Sequence, residues 1–142
     1  MGNKAFVKFV DLKVGVYLHW NGGRDSVEAF LDYCRMKGYR TDSYGPARFC
    51  QTVANYFPDG LSIGIESTAG QSPSYFDPGD NGVYFVKDWK ITGRYPRNVQ
   101  EQRRYEREWM LNEIDKAQPQ AVQVGPDKIR EFVTAGRTDP EA

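Results

Sequence analysis

The sequence predicts an α+β protein in which an antiparallel sheet of about four strands carries two helices on one face, with a further charged helix near the C-terminus. Three observations support this class. Short β-branched segments with period-two alternation occur near the N-terminus and again in the middle of the chain, two segments with helical periodicity lie between them, and a charged helical segment follows. Strands that neighbour each other in the chain, with helices grouped between them, are typical of α+β folds.

The first two strands are predicted at Ala5–Val10 and Val14–Trp20, which read AFVKFV and VGVYLHW. Only three residues separate them, so they are expected to pair as an antiparallel hairpin. In the second strand every other residue is apolar, which indicates one buried face. Trp20 continues this alternation and is therefore expected to anchor the core where the second strand meets the first helix.

Two amphipathic helices follow these strands. Asp25 and Glu28 have the spacing of a capping box and predict the start of the first helix, and Gly38 predicts its end. The second helix is expected to have Pro46 at its first helical position and to end near Phe57.

The rest of the chain supplies further strands and helices. Leu61–Ser67 alternates like a strand, and a loop rich in Gly, Ser and Pro follows it. Val83–Tyr95 has the strongest β character and is either one bulged strand or two strands joined by a tight turn. Asn98–Ala117 is predicted to be a highly charged helix with a narrow apolar stripe, and Pro126–Gly136 to be a short last helix.

Length and composition indicate one ordinary domain of 142 residues, with residues 1–96 as an α+β core. Residues 97–142 are expected to form a helical extension of the same domain that ends in a disordered tail. No apolar run is long enough to cross a membrane, and a cytoplasmic location is expected. Cys34 and Cys50 lie on apolar helix stripes and are predicted to be buried and reduced. Two cysteines and one histidine leave no basis for a zinc site, and neither a metal nor a cofactor is expected.

The stretch from Val16 to Phe30, VYLHWNGGRDSVEAF, contains the only histidine of the chain. It resembles a group of small bacterial and phage proteins whose marker is a Tyr-x-His-Trp-Asp-Gly-Tyr-Pro stretch near the N-terminus. Four positions match that marker, whereas an asparagine replaces its aspartate and Gly-Arg replaces its Tyr-Pro; the matching residues are Tyr17, His19, Trp20 and Gly22. The resemblance implies a small cytoplasmic protein of prophages and other mobile elements, and it implies no catalytic role.

The same stretch is the first candidate for a functional site. The favoured interpretation is structural, with His19 and Trp20 packing and hydrogen-bonding the corner between strand and helix. A ligand contact and a role for His19 as a catalytic base remain alternatives, since imidazole titrates near neutral pH. The candidate ligand-binding residues are His19, Asn21, Arg24, Glu66 and Asp80.

The charged helix is the second candidate. Its arginines lie near tyrosines that could stack on bases, but glutamates interrupt them, which is typical of a solvated helix face. Nucleic-acid binding is therefore not favoured, although the basic set that would carry it is Arg94, Arg97, Arg103, Arg104 and Arg107. The large apolar residues of the stripe instead predict a protein-binding surface and a possible homodimer, with Arg104, Tyr105, Trp109, Met110 and Ile114 as its residues.

Taken with the 14% aromatic content, these observations predict a binding protein rather than an enzyme. The leading hypothesis is a non-enzymatic protein of a mobile element that inhibits a host defence protein by occupying its surface. The alternative is a protein that binds a small ligand or nucleotide at the corner from His19 to Arg24. An enzyme that uses His19 as a base is the third hypothesis.

Overall fold

The computed structural model describes residues 3–57, 62–96 and 107–136. The α+β class is confirmed. A single 3₁₀ turn at Gln120–Val122 precedes the last helix. The other elements, in chain order, are β1 (Ala5–Phe9), β2 (Val14–Leu18), α1 (Arg24–Met36), α2 (Tyr44–Tyr56), β3 (Ile63–Ser67), α3 (Pro73–Phe76), β4 (Val83–Lys87), β5 (Lys90–Tyr95), α4 (Arg107–Ala117) and α5 (Pro126–Gly136).

The five strands form one sheet in the order β3-β2-β1-β4-β5. β1 and β2 form the predicted antiparallel hairpin, with Val7 opposite Val16. β1 and β4, however, run parallel, with Val7 opposite Tyr84. The sheet therefore has one strand more than the predicted four, and it is mixed, because three of its strand pairs are antiparallel as predicted and one is parallel. A parallel pair needs a long connection rather than a hairpin turn, and no local turn signal reveals it.

The segment Val83–Tyr95 consists of two strands rather than one. Asp88 and Trp89 connect β4 to β5, and both have positive φ, 52° and 64°. Two successive left-handed residues are the signature of the tight hairpin turn whose twist matches that of the strands. The side chain of Trp89 is buried, and its indole N–H donates to the carbonyl of Tyr39 at 2.8 Å, which fixes the turn against the segment before α2.

Helices α1, α2, α4 and α5 all contribute to one core on a single face of the sheet. The expectation of two helices on this face underestimates the helical layer, because the charged helix α4 and the last helix α5 also belong to it. The fully buried side chains with the largest volumes in this core are Tyr33, Tyr84, Phe30, Phe49, Leu18, Leu31, Leu111, Ile114 and Ile129.

The start of α1 differs from the predicted capping box. Its N-cap is Gly23, which makes no side-chain cap hydrogen bond. The carboxylate of Asp25 accepts the neighbouring amide of Ser26 at 2.8 Å instead. The predicted end is correct, because Gly38 adopts a left-handed φ of 70° just after the helix. Helix α2 begins at Tyr44, so that Pro46 lies within its first turn rather than at its first position.

Asp115 joins three parts of the helical layer. Its buried carboxylate accepts the phenol of Tyr33 on α1 at 2.7 Å. It also accepts the backbone amides of Val124 and Gly125, at 2.9 and 3.0 Å, just before α5. Burial, together with the hydrogen bond to Asp115, raises the pKa of Tyr33 far above its ordinary value. The phenol therefore remains a donor, and α4 is tied to both neighbouring helices.

A second polar contact fixes the start of α4. The guanidinium of Arg107 lies 2.6 Å from the carboxylate of the buried Asp32 on α1. The predicted helix Asn98–Ala117 is described from residue 107 onward, and its earlier part lies outside the described residues. The predicted disordered tail, residues 137–142, also lies outside the described residues, as does Leu61, the first residue of the predicted strand Leu61–Ser67.

Both cysteines are free thiols. Cys34 is fully buried, as predicted, whereas Cys50 is only partly buried at the edge of the core. None of the described helices is long and apolar enough to cross a lipid bilayer.

Candidate functional site

The face of the sheet opposite the helical layer carries a second, smaller apolar cluster. Phe6 and Val83 are buried there beneath Phe76, which belongs to the four-residue helix α3. The rings of Phe6 and Phe76 stack with their centroids 4.6 Å apart and their planes 13° from parallel. Within the described part of the chain, α3 is the one helix that contributes to this cluster, and the surrounding rings of Tyr17, Phe85 and Tyr95 are only partly buried.

Six rings follow one another across this side of the molecule. Tyr17 lies opposite Phe6 in the β1–β2 ladder. His19 and Trp20 make an edge-to-face contact at 4.6 Å, and Tyr75 contacts Phe76 in the same way at 5.0 Å. We call this set the aromatic face; its members are Phe6, Tyr17, His19, Trp20, Tyr75 and Phe76.

The two ends of the aromatic face are exposed. Trp20 retains 44% of its surface and Tyr75 retains 63%. The prediction that Trp20 anchors the core is therefore wrong. β2 ends at Leu18, and Asn21 takes a left-handed φ of 56°, so that the period-two pattern no longer determines which side of the chain is buried.

His19 and Tyr17 share a hydrogen bond of 2.8 Å between the imidazole Nδ1 and the phenol oxygen. This contact fixes the imidazole ring on this face, and no described residue bonds its Nε2. A histidine that acts as a base is usually oriented by a carboxylate, and Asp25, Glu66 and Asp80 are the candidates for that role. In the structure none of them bonds it, so no acid–base pair of the usual kind forms there.

The turn that follows β2 is rigid. Gly22 donates its amide to the carbonyl of Asn3 at 2.7 Å, and its own carbonyl accepts the phenol of Tyr84 at 2.7 Å. A Cβ on Gly22 would lie 2.5 Å from the Asn3 oxygen, so only glycine fits. The side-chain amide of Asn21 donates to the hydroxyl of Ser26. These contacts support the structural interpretation of the turn, which holds His19 and Trp20 in place.

The remaining predicted ligand-binding residues are only partly brought together. Arg24 lies 3.6 Å from Glu28 on the same helix. Glu66 is exposed on β3 and lies opposite Gly15 of β2, which places it on the same side of the sheet as Tyr17. Asp80 accepts the backbone amide of Lys4 at 3.0 Å. None of these contacts joins two of the five candidate residues directly.

The predicted protein-binding stripe on α4 is mostly core. Met110 and Ile114 are buried against the other helices, so they cannot form an association surface in the folded chain. Trp109 is the exception, with 59% of its surface exposed. Arg104 and Tyr105 lie outside the described residues. The sequence correctly indicated an apolar stripe on this helix, but Met110 and Ile114 of the stripe pack against other helices of the same chain.

The described members of the basic set have internal partners. Arg94 lies over the ring of Tyr84 at 3.9 Å and donates to the carbonyl of Asn81. Arg107 is paired with Asp32. The other three arginines, Arg97, Arg103 and Arg104, are outside the described residues. Two of the five cations are therefore engaged within the fold.

Sequence reasoning did not identify Tyr75 and Phe76, because they occur in a segment that was interpreted as a loop. The sequence does contain a sign of this second cluster. In β1 the residues at odd and even positions are both apolar, as Ala5, Phe6 and Val7 show. A strand that is apolar on both sides predicts cover on both faces of the sheet.

In the described part of the chain, no three His, Cys, Asp or Glu side chains are grouped to hold a metal ion.

Comparisons with models of known protein families, with curated proteins and with solved structures find no match for this chain.

Proposed function

We propose that this chain is a non-enzymatic binding protein that engages a partner protein through its aromatic face. The observation that carries the proposal is the row of contacting rings on the side of the sheet opposite the helical layer. Its two ends, Trp20 and Tyr75, are large and exposed. Tryptophan and tyrosine dominate the binding energy of protein interfaces, because they bury much area with few rotatable bonds.

The charges around the aromatic face favour a protein over a nucleic acid. Lys8 and Glu66 both lie on this side of the sheet, so that the local charge is mixed. Lys8 sits 5.8 Å from the ring of Phe85. A surface that stacks single-stranded bases normally combines its rings with a positively charged groove. The described arginines of the basic set are instead paired within the fold.

The resemblance of the stretch around Tyr17 and His19 to small phage and prophage proteins suggests what the partner is. On that basis we propose a host protein, and inhibition of a host defence function by occupation of its surface. The mechanism needs no reactive group, because covering the partner's own binding site is sufficient.

A second candidate function has a specific observation in its favour. The Nε2 of His19, which no described residue bonds, lies beside the exposed ring of Trp20, and together they offer one hydrogen bond and one stacking surface. A nucleotide base could use both. This alternative predicts a thermal shift with nucleotides in the purified protein, and loss of that shift in Trp20→Ala.

The test compares capture of partners from a nuclease-treated bacterial lysate by the wild type and by two matched double variants. The first, Trp20→Ala with Tyr75→Ala, removes the exposed ends of the aromatic face. The second, Trp109→Ala with Tyr44→Ala, removes an exposed tryptophan and an exposed tyrosine elsewhere. We expect the first variant to lose at least about tenfold of the captured partner and the second to retain it. Equal capture by both variants, or loss only in the second, contradicts the proposal.

A further inference from the structure

Strand β3 has an outer edge that pairs with no other strand among the residues the structure describes. It is the last strand of the sheet, and β2 is its partner on the other side. His19 donates its amide to the carbonyl of Ser62 at 2.9 Å, and Thr68 donates to the carbonyl of Lys13 at 3.1 Å. Hydrogen-bonded pairs alternate along an antiparallel ladder, so the even-numbered residues of β3 bond to β2. The backbone groups of the odd-numbered residues therefore point away from the sheet; they are Ile63, Ile65 and Ser67.

This edge has few of the features that usually prevent strand pairing, and Glu66 is its one charged residue. β3 contains no proline, lysine or bulge, and 62% of the Ile65 surface is exposed. The opposite edge strand, β5, begins with Lys90 and has a shift of register against β4 between Phe85 and Val86. The two edges of the sheet thus differ, and β3 is the one with a regular register and no lysine.

We propose that β3 pairs antiparallel with β3 of a second copy of the chain, so that the two five-stranded sheets become continuous. A two-fold axis at Ile65 places Ile65 opposite its own copy and Ile63 opposite the copy's Ser67. In this register every outward backbone N–H and C=O of the three odd-numbered residues meets a complementary group. The strand is self-complementary, which is what a symmetric dimer requires.

The side chains also fit this register. Glu66 lies opposite Gly64 of the second copy, so that no two like charges face each other directly. The two Ile65 side chains meet on the helix side of the sheet, where their present exposure shows that the helical layer leaves room. Apolar cross-strand pairs of this kind stabilise a ladder, whereas opposed like charges would weaken it. The two aromatic faces would lie on the same side of the joined sheet.

The register is tested by cysteine cross-linking in a Cys50→Ser background, which removes the partly exposed native thiol. Ile65→Cys places the two new thiols on Cα atoms about 5.5 Å apart, within reach of a disulfide. Ser67→Cys is the matched control, because its two copies are four positions out of register, or about 13 Å along the strand. Under mild oxidation we expect Ile65→Cys to form covalent dimer at least tenfold faster. Equal rates for the two variants overturn the proposed pairing.

Sedimentation velocity of the purified wild type provides the second test. The proposal predicts a species of twice the 16.2 kDa chain mass in the micromolar range. Ile65→Lys should be monomeric with an unchanged far-UV circular dichroism spectrum, since two lysines would face each other across the axis. Trp109→Ala should remain dimeric. A wild type that stays monomeric at several hundred micromolar overturns the proposal, and it leaves the aromatic-face proposal standing because that test needs no dimer.

Discussion

Gly15 of β2 is required by the ring that lies over it. A Cβ at this position would be 2.2 Å from the ring of Phe6, and the ring could not remain stacked on Phe76. Gly64, on the neighbouring strand, differs: a Cβ there would meet only the Tyr17 side chain at 3.9 Å. The aromatic face is thus supported by one small residue beneath its centre, which no periodic pattern in the sequence reveals.

The two cysteines give a prediction about the reactivity of their thiols. Burial raises the pKa of Cys34 to about 12 and that of Cys50 to about 11, from an ordinary value of 9.0. Because the thiolate is the reactive form, both side chains should react slowly with a disulfide reagent at pH 8. We expect Cys50, which is partly exposed, to react before Cys34. Reaction of both thiols at the rate of free cysteine contradicts this assignment of burial.

The raised pKa values of the two thiols also affect the stability of the folded chain at alkaline pH. An unfolded chain releases these protons near the ordinary pKa, while the folded chain retains them to a higher pH. The folded state therefore binds more protons above about pH 9, and the free energy of unfolding should fall as pH rises from there. Below pH 9 the two thiols contribute no pH dependence.

Among the elements, helix α4 carries a fully buried residue and an exposed residue that can be compared directly. Ile114 is fully buried and Trp109 is exposed on the same helix. Ile114→Ala should lower the free energy of unfolding by about 2–5 kcal/mol, whereas Trp109→Ala should change it by no more than about 0.5 kcal/mol. Urea denaturation of the two variants measures both values. Comparable losses would mean that Trp109 also packs in the core.

Local patterns predicted the elements whose determinants are local. The helix Pro126–Gly136 and the hairpin of β1 and β2 are present as predicted. The wrong predictions concern the ends of elements and the contacts between distant segments. The start of α1 and the position of Trp20 depend on the backbone of a turn, and the parallel pairing of β1 with β4 depends on the whole connection between them.

At the scale of the whole molecule, the two faces of the sheet have different roles. One face is buried under four helices, of which α1, α4 and α5 are joined by the contacts of Asp115 and by the Arg107–Asp32 pair. The other carries the aromatic face. The sequence pointed to one part of this site, since the only histidine lies beside Trp20. It did not identify the other part, because Tyr75 and Phe76 come to it from a segment more than fifty residues away.

The most direct test of the central claim is hydrogen exchange of the chain alone and in complex with its captured partner. The account predicts slower exchange on binding in the peptides that contain residues 17–20 and 73–76, with little change over helix α4. Protection confined to α4, or to the helices of the core-facing layer, with the aromatic face unchanged, would contradict it.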